Sequence, residues 1–261
     1  MKLSHLVIGA ATVFLSYNIA FAATPAQSSD DAATFSPAQT QSIKDIVHDY
    51  LVSNPEVLVE ASQALQVKQM EKMQAAALAG IAQNKNQIFN DAMSPVSGNP
   101  NGDVKLVEFY DYQCGHCREM AGSVDSIISK NPDLKVIMKD WPIFGGSSKE
   151  AAQASIAAYQ QGASKFYEFH NALYKISPPL TTEKILDAAK NAGLNIKKLK
   201  SDMEDPAIEK LLKANFQLAS KLKLIGTPAF ILTNKDETKF KFIPGATTEK
   251  DLQDKITSLS Q

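Results

Sequence analysis

Cys114 and Cys117 are the only cysteines in this chain of 261 residues, and only Gly115-His116 separates them. The pair stands where an apolar run, Val104 to Tyr110, gives way to a helix-compatible stretch from about Gly115 to Lys130. That junction constrains the fold more than any other feature. The run is continuous enough to be a strand covered on both faces. A helix starting directly after it places both sulfurs at the end of a sheet. A disulfide across two residues closes almost no loop and so removes little entropy from the unfolded chain. The pair therefore points to reversible two-electron chemistry rather than to a staple.

The chemistry assigns different work to the two sulfurs. The thiolate is the nucleophile in disulfide exchange, and the open N–H groups at a helix start stabilise it. Cys114 is the expected attacking cysteine, with a pKa in the range of about 3.5–7. His116 can add positive or hydrogen-bonding character. Cys117, one turn further into the helix, is expected to be less exposed and to resolve the mixed disulfide. Glu108 lies inside the apolar strand, where an acid is rare unless paired or functional. It could accept or relay the proton of Cys117, with Lys139 as a candidate charge partner; a structural ion pair at the strand end is an equal alternative. Thr227-Pro228 precedes a second apolar run, Ala229 to Leu232. Beside the Cys pair, a proline there is expected to be cis and to present the backbone of Thr227 to a substrate strand; an ordinary trans proline at a strand edge is the alternative. A structural zinc site needs four ligands, whereas two cysteines and the distant His48 and His170 do not supply them. No metal and no organic cofactor is expected.

The N-terminus bears on where this chemistry operates. Met1-Lys2, the apolar run Leu6 to Ala20, and Ala20-Phe21-Ala22 fit a signal peptide over residues 1–22, cleaved after Ala22. Export to the periplasm puts the cysteines where disulfides persist. Residues 23–34 are small and polar and read as a disordered linker. The net charge of -1 excludes the strong basic excess of a nucleic-acid binder.

Residues 35–93 read as a helical region. Ser36-Pro37-Ala38-Gln39 has the form of a capping box with proline at the first helical position. Ile43, Ile46, Val47, Tyr50 and Leu51 then form one apolar face. A second helix is expected from Pro55 to about Phe89. Its stripe of Val67, Met70, Ala77, Ile81 and Ile88 is interrupted by Gln74 and Asn84, so it is not a clean heptad seam. A long helix with an incomplete apolar face needs a partner surface, which predicts a homodimer, with a trimer as the alternative. Folding back onto the remaining chain is the competing expectation. Residues 93–103 read as a loop, and Leu134 to Met138 as a strand parallel to the first. Helices follow from Ser147 to about Leu222, then the Thr227–Leu232 strand, a hairpin partner at Lys239–Ile243 and a last helix near Thr247–Ser258.

In this order, the elements and motifs resemble the DsbA-like thiol–disulfide oxidoreductases of the thioredoxin superfamily. The motifs are Val107-Glu108-Phe109-Tyr110-Asp111-Tyr112-Gln113-Cys114-Gly115-His116-Cys117, Lys139-Asp140-Trp141-Pro142-Ile143-Phe144-Gly145 and Gly226-Thr227-Pro228. The resemblance covers residues 94–261. It implies an α/β thioredoxin fold with an inserted helical subdomain at about 147–222, preceded by an N-terminal helical oligomerisation region. It also implies Cys114 and Cys117 as the redox-active pair, Glu108 as the buried acid and a cis Pro228. The Gly-His dipeptide is similar to that of protein disulfide isomerases, and threonine before the proline is common in bacterial disulfide isomerases. Both departures point away from a simple oxidase. The implied partners are unfolded or mispaired exported proteins carrying cysteines, and a membrane redox partner that reoxidises or reduces the pair. An exported chaperone-like binding protein with a vestigial thioredoxin domain is the alternative.

Overall fold

The computed structural model describes residues 35–260. The expected signal peptide and the 23–34 linker lie outside the described residues. The chain divides into two units between Glu60 and Ala61.

In the first unit, α1 (Pro37–Ser53) starts at the expected capping box. The Ser36 amide donates to Gln39 Oε1 at 2.9 Å, and the Gln39 amide donates to Ser36 Oγ at 3.3 Å. No residue of α1 is buried. Ile46 is 67% exposed, and Ile43, Val47 and Tyr50 on the same face are exposed with it.

The second unit is built on a five-stranded mixed sheet. Its strands are β1 (Val96–Gly98), β2 (Val104–Tyr110), β3 (Leu134–Asp140), β4 (Ala229–Thr233) and β5 (Phe240–Ile243), in the order β1-β3-β2-β4-β5. β2 is central, parallel to β3 and antiparallel to β4. Between β2 and β3 runs α4 (Gly115–Lys130). The helical insertion between β3 and β4 comprises α5 (Gly146–Tyr159), α6 (Ala163–Lys175), α7 (Thr182–Asn191), α8 (Ile196–Met203) and α9 (Pro206–Lys221). A final helix, α10 (Glu249–Leu259), follows β5. α8 and α9 are separate because Asp205 caps the second of them, accepting from the Ala207 amide at 2.8 Å, and Pro206 opens it. This is the expected thioredoxin-type α/β architecture with a helical insertion.

Strand alternation sorts the core into two layers. Leu106, Tyr110, Val136, Met138, Phe230 and Leu232 pack with α4 and the insertion. Val107, Phe109, Ile137 and Ile231 face the other way, onto Ala77, Ile81, Ile88 and Phe89. Those four belong to the end of α2 (Glu56–Gln83) and to α3 (Lys85–Phe89). The expected single helix to Phe89 is broken at Asn84, whose side chain donates to the Gly80 carbonyl at 2.8 Å and competes with the helix ladder. Gly80 allows a close approach at this point: a Cβ there would lie 3.3 Å from the Lys221 carbonyl oxygen. The expected stripe is thus divided. Ala77, Ile81 and Ile88 cover the sheet, whereas Val67 and Met70 remain exposed. The expected loop at 93–103 also contains edge strand β1, three residues too short to show alternation.

The register corrects one side-chain pairing. Glu108 is opposite Met138, and Phe109 is opposite Lys139, so Glu108 and Lys139 project from opposite faces. The partner of Lys139 is Asp91, with Nζ to Oδ2 at 3.0 Å, and Nζ also donates to the Gln87 carbonyl at 2.8 Å. Burial opposes ionisation of Asp91, but the Lys139 charge together with the hydrogen bonds from Lys139, the Met93 amide and Ser94 outweighs it and lowers its pKa. Asp91→Ala leaves a fully buried ammonium with one carbonyl for company. Asp91 is itself only partly buried, which reduces the loss relative to a fully enclosed pair. A destabilisation of about 2–3 kcal/mol is expected in urea unfolding; a change within the noise of surface substitutions would show that the pair does not hold α3 to the sheet.

Candidate active site

β2 ends at Tyr110, and the four residues that follow turn the chain into α4. Cys114 is the N-cap of that helix, with φ -71° and ψ 120°, and its amide donates to the Asp111 carbonyl at 3.0 Å. Cys117 lies one turn further on and is completely buried, while Cys114 retains 6% exposure. Both are free thiols. The Thr227–Pro228 peptide is cis. It brings the Thr227 carbonyl to Cys114, whose Sγ–H donates to it at 3.2 Å.

These surroundings separate the two thiols electrostatically. Cys114 is lowered to about 5, chiefly by the hydrogen bond from the Cys117 thiol. Burial opposes the shift, and Thr227 and the backbone N–H groups of Cys117 and His116 reinforce it. Cys117 is pushed far above the ordinary thiol value, first by burial, then by its bond to Cys114 and by the charge of Glu108. One sulfur is therefore poised as a thiolate at neutral pH, and the other holds its proton. The His116 imidazole is exposed, with Nδ1 3.1 Å from Glu119 Oε2. What His116 contributes to the Cys114 sulfur is its backbone N–H.

Glu108 sits in β2 beneath α4, between Met138 of β3 and Phe230 of β4, and is 2% exposed. Burial, then the negative charges at Cys114 and Asp125, raise it from 4.5 to about 8. Around it lie Tyr110, Tyr112, His170 and Tyr174, all buried. The Tyr112 hydroxyl lies 2.8 Å from His170 Nδ1 and donates to Ser155 Oγ at 2.7 Å. Burial lowers His170 to about 3, so it stays neutral. This histidine is a core member, far from any ligand role. Among the described residues, no group of three or more His, Cys, Asp or Glu side chains is placed to hold a metal ion.

Above the sulfurs is a shallow cleft of about 310 Å³, bounded by Cys114, His116, Ile143, Phe144 and Thr227. Its outer wall is apolar and open: Ile143 is 38% and Phe144 60% exposed, and Ile225, beside the lining Gly226, is exposed as well. Sequence reasoning did not single out this rim. The available signal was a pair of large apolar residues in a loop directly after a strand whose carboxyl end lies beside the cysteines. A cavity of like volume beside Lys139, Asp91 and Asn215 has no thiol in its wall, unlike the Cys114 cleft.

Comparison with known proteins agrees with this geometry. The DSBA-like thioredoxin domain family matches residues 105–257, and the copper resistance protein ScsC N-terminal domain family matches residues 39–72. The crystal structure of Salmonella enterica Typhimurium BcfH aligns with a TM-score of 0.72 at 30% identity, covering 86% of this chain and 97% of that one. Proteus mirabilis ScsC in a transitional conformation aligns with a TM-score of 0.62 at 32% identity, covering 87% and 97%. Disulfide bond formation protein D of Bacillus subtilis (strain 168) is 26% identical over 170 residues, covering 58% of this chain and 77% of that protein.

The state of Glu108 leaves a signature in folding. Between about pH 4.5, where an unfolded glutamate titrates, and about pH 8, the folded chain keeps a proton that the unfolded chain has lost. Unfolding free energy therefore falls as pH rises through that window. Glu108→Gln is expected to remove roughly 3–5 kcal/mol of that pH-dependent loss. Denaturant unfolding of both proteins at about pH 5 and about pH 8 measures it; parallel pH slopes would show that Glu108 titrates normally.

Proposed function

The chain belongs to the DsbA-like thioredoxin family and is a thiol–disulfide oxidoreductase, and from that premise we propose that it forms and isomerises disulfides in exported proteins in the periplasm through Cys114 and Cys117. The observation that carries this reading is the contrast between the two thiols. Cys114 is lowered to about 5 at the mouth of an apolar cleft, while Cys117 beneath it holds its proton.

In oxidation, a substrate thiolate attacks Cys114 Sγ of the Cys114–Cys117 disulfide. The intramolecular S–S bond breaks, a mixed disulfide forms, and Cys117 leaves as a thiolate. Glu108, protonated at neutral pH because of its raised pKa, is placed to give that thiolate its proton. The substrate's second thiolate then attacks its own sulfur in the mixed disulfide. Cys114 leaves as a stable thiolate, the substrate gains its disulfide and two electrons remain in the Cys pair. In isomerisation, the Cys114 thiolate attacks a wrong disulfide and is displaced by a different substrate thiolate, with no net change in electrons. Thr227 and cis Pro228 present backbone to an extended segment of the client. When Cys114 ionises, the Thr227 carbonyl loses its thiol donor and becomes free to accept a client N–H. Turnover in either direction implies a membrane partner that resets the pair.

The exposed face of α1 supports a homo-oligomer formed through the N-terminal helices, as does the match of residues 39–72 to the ScsC N-terminal family. Joining catalytic units would place several Cys114 sites around one client and raise their effective concentration. This favours rearrangement of wrong disulfides over simple oxidation.

Two measurements test the proposal. Cys114→Ser is expected to abolish both oxidation of a dithiol peptide and recovery of a scrambled disulfide protein; retained turnover would remove the pair from the mechanism. Ile46→Glu combined with Tyr50→Glu places charge on the exposed face of α1. The double variant is expected to sediment as a monomer, to keep peptide oxidation and to lose most scrambled-protein recovery. An unchanged sedimentation coefficient would refute assembly through α1.

A further inference from the structure

We propose that Asp111 is a positioning residue that fixes the apolar wall of the cleft relative to Cys114, and thereby sets how tightly a client segment binds. The inference rests on the thiol-exchange reading of the same site.

Asp111 directly follows β2 and is 2% exposed. A buried carboxylate is costly unless its oxygens are fully bonded. Here the donors are a hydroxyl and two backbone amides, with no cation among them. They come from three separate places. Oδ1 accepts from the Gln113 amide at 2.7 Å, in the turn that carries Cys114. Oδ1 also accepts from Ser148 Oγ at 2.6 Å, in the first turn of α5. Oδ2 accepts from the Phe144 amide at 3.2 Å, in the loop that forms the cleft's outer wall. The Gln113 side chain adds a brace, donating to Ser148 Oγ at 2.8 Å. The Asp111 backbone takes part as well, since its carbonyl accepts from the Cys114 amide at 3.0 Å.

One residue therefore ties the nucleophile's turn to the segment that displays Ile143 and Phe144. The Trp141 amide anchors the start of that loop by donating to the Tyr110 carbonyl at 2.8 Å, and the Asp111–Phe144 bond anchors its tip. The division of labour between the two oxygens makes the idea separable by substitution. An asparagine with its oxygen towards Gln113 and Ser148 keeps both short bonds and so preserves the Cys114 turn. Its amide nitrogen then faces the Phe144 N–H, where two donors oppose each other. The opposite rotamer would give up two bonds to keep one. Asp111→Asn thus cuts the wall loose while leaving the nucleophile's turn in place.

The test uses the full-length protein and a peptide carrying two thiols beside a leucine. Asp111→Asn is expected to raise KM about tenfold, with kcat and the pH midpoint of Cys114 alkylation close to the parent's. Phe144→Ala should raise KM to a similar extent. The double variant should be no worse than the poorer single one, because both act through the same wall. An unchanged KM in Asp111→Asn, a shifted alkylation midpoint, or additive losses in the double variant would each overturn the inference. Should Asp111→Asn fail to fold, amide hydrogen exchange in the parent decides. The Phe144 amide, although its ring is exposed, should exchange slowly, and exchange at the rate of an open loop would overturn the proposal. A parent that cannot oxidise the peptide at all would instead remove the underlying thiol-exchange reading.

Discussion

The Cys114 sulfur sits at a helix N-terminus, where backbone N–H groups left without helix partners favour a thiolate. A strand ends at Tyr110, a helix begins at Gly115, and the cysteine between them caps the helix. Much of the site follows from that. The Cys117 thiol, held one turn further on, can only donate towards a partner that accepts, so each proton it keeps favours a thiolate on Cys114. Burial beneath the helix then prevents Cys117 from ionising first. The asymmetry between attacking and resolving sulfur arises from their depth in one helix turn and needs no charged side chain at the surface. His116 illustrates this, since its ring faces solvent while its amide does the electrostatic work.

The acid beneath the pair fits the same scheme. Glu108 is on the sheet face that carries α4 and the insertion, and the cation expected beside it is on the other face. A nearby ammonium would have lowered Glu108 and fixed it as a carboxylate. Its absence leaves burial to raise the group towards neutrality, where a carboxyl can both hold and release a proton. Lys139 serves the opposite layer, where its bonds to Asp91 and Gln87 fasten α3 to the sheet. Two ionisable residues of neighbouring strands are thus kept apart by the pleat, one beneath the cysteines and one tied to Asp91 on the opposite face.

That separation also explains what could be read from the chain alone. The Cys pair, the strand before it, the proline that faces it and the order of strands and helices were legible because each has a local signature: composition, spacing or a turn residue. The Glu108–Lys139 pairing failed because register is a property of two strands and is invisible in either one. The end of α2 presented a mixed case. Its stripe is apolar at helical spacing both where it covers the sheet, at Ala77 and Ile81, and where it is exposed, at Val67 and Met70. Periodicity reports that a face needs cover but not what covers it. Asp111 escaped notice for a related reason. Its three donors lie two, thirty-three and thirty-seven residues away, and only the closed fold gathers them.

The exposed part of that stripe and the rim of the cleft raise the same physical question and receive different answers. Both leave large apolar side chains in water, at a cost that selection tolerates where another surface is to be met. On α1 and the first part of α2, the exposed residues recur along helices with no covering layer of their own, which suits a permanent, repeating partner such as another copy of the chain. At the cleft, Ile143, Phe144 and Ile225 stand on irregular loops around a nucleophile, and the patch is small. A small apolar rim beside open backbone acceptors suits brief contact with many unfolded segments, whose exposed side chains vary but whose backbone does not. On the proposed function, both kinds of surface serve the rearrangement of disulfides. The first would hold several active sites together, and the second would release each client after a single exchange.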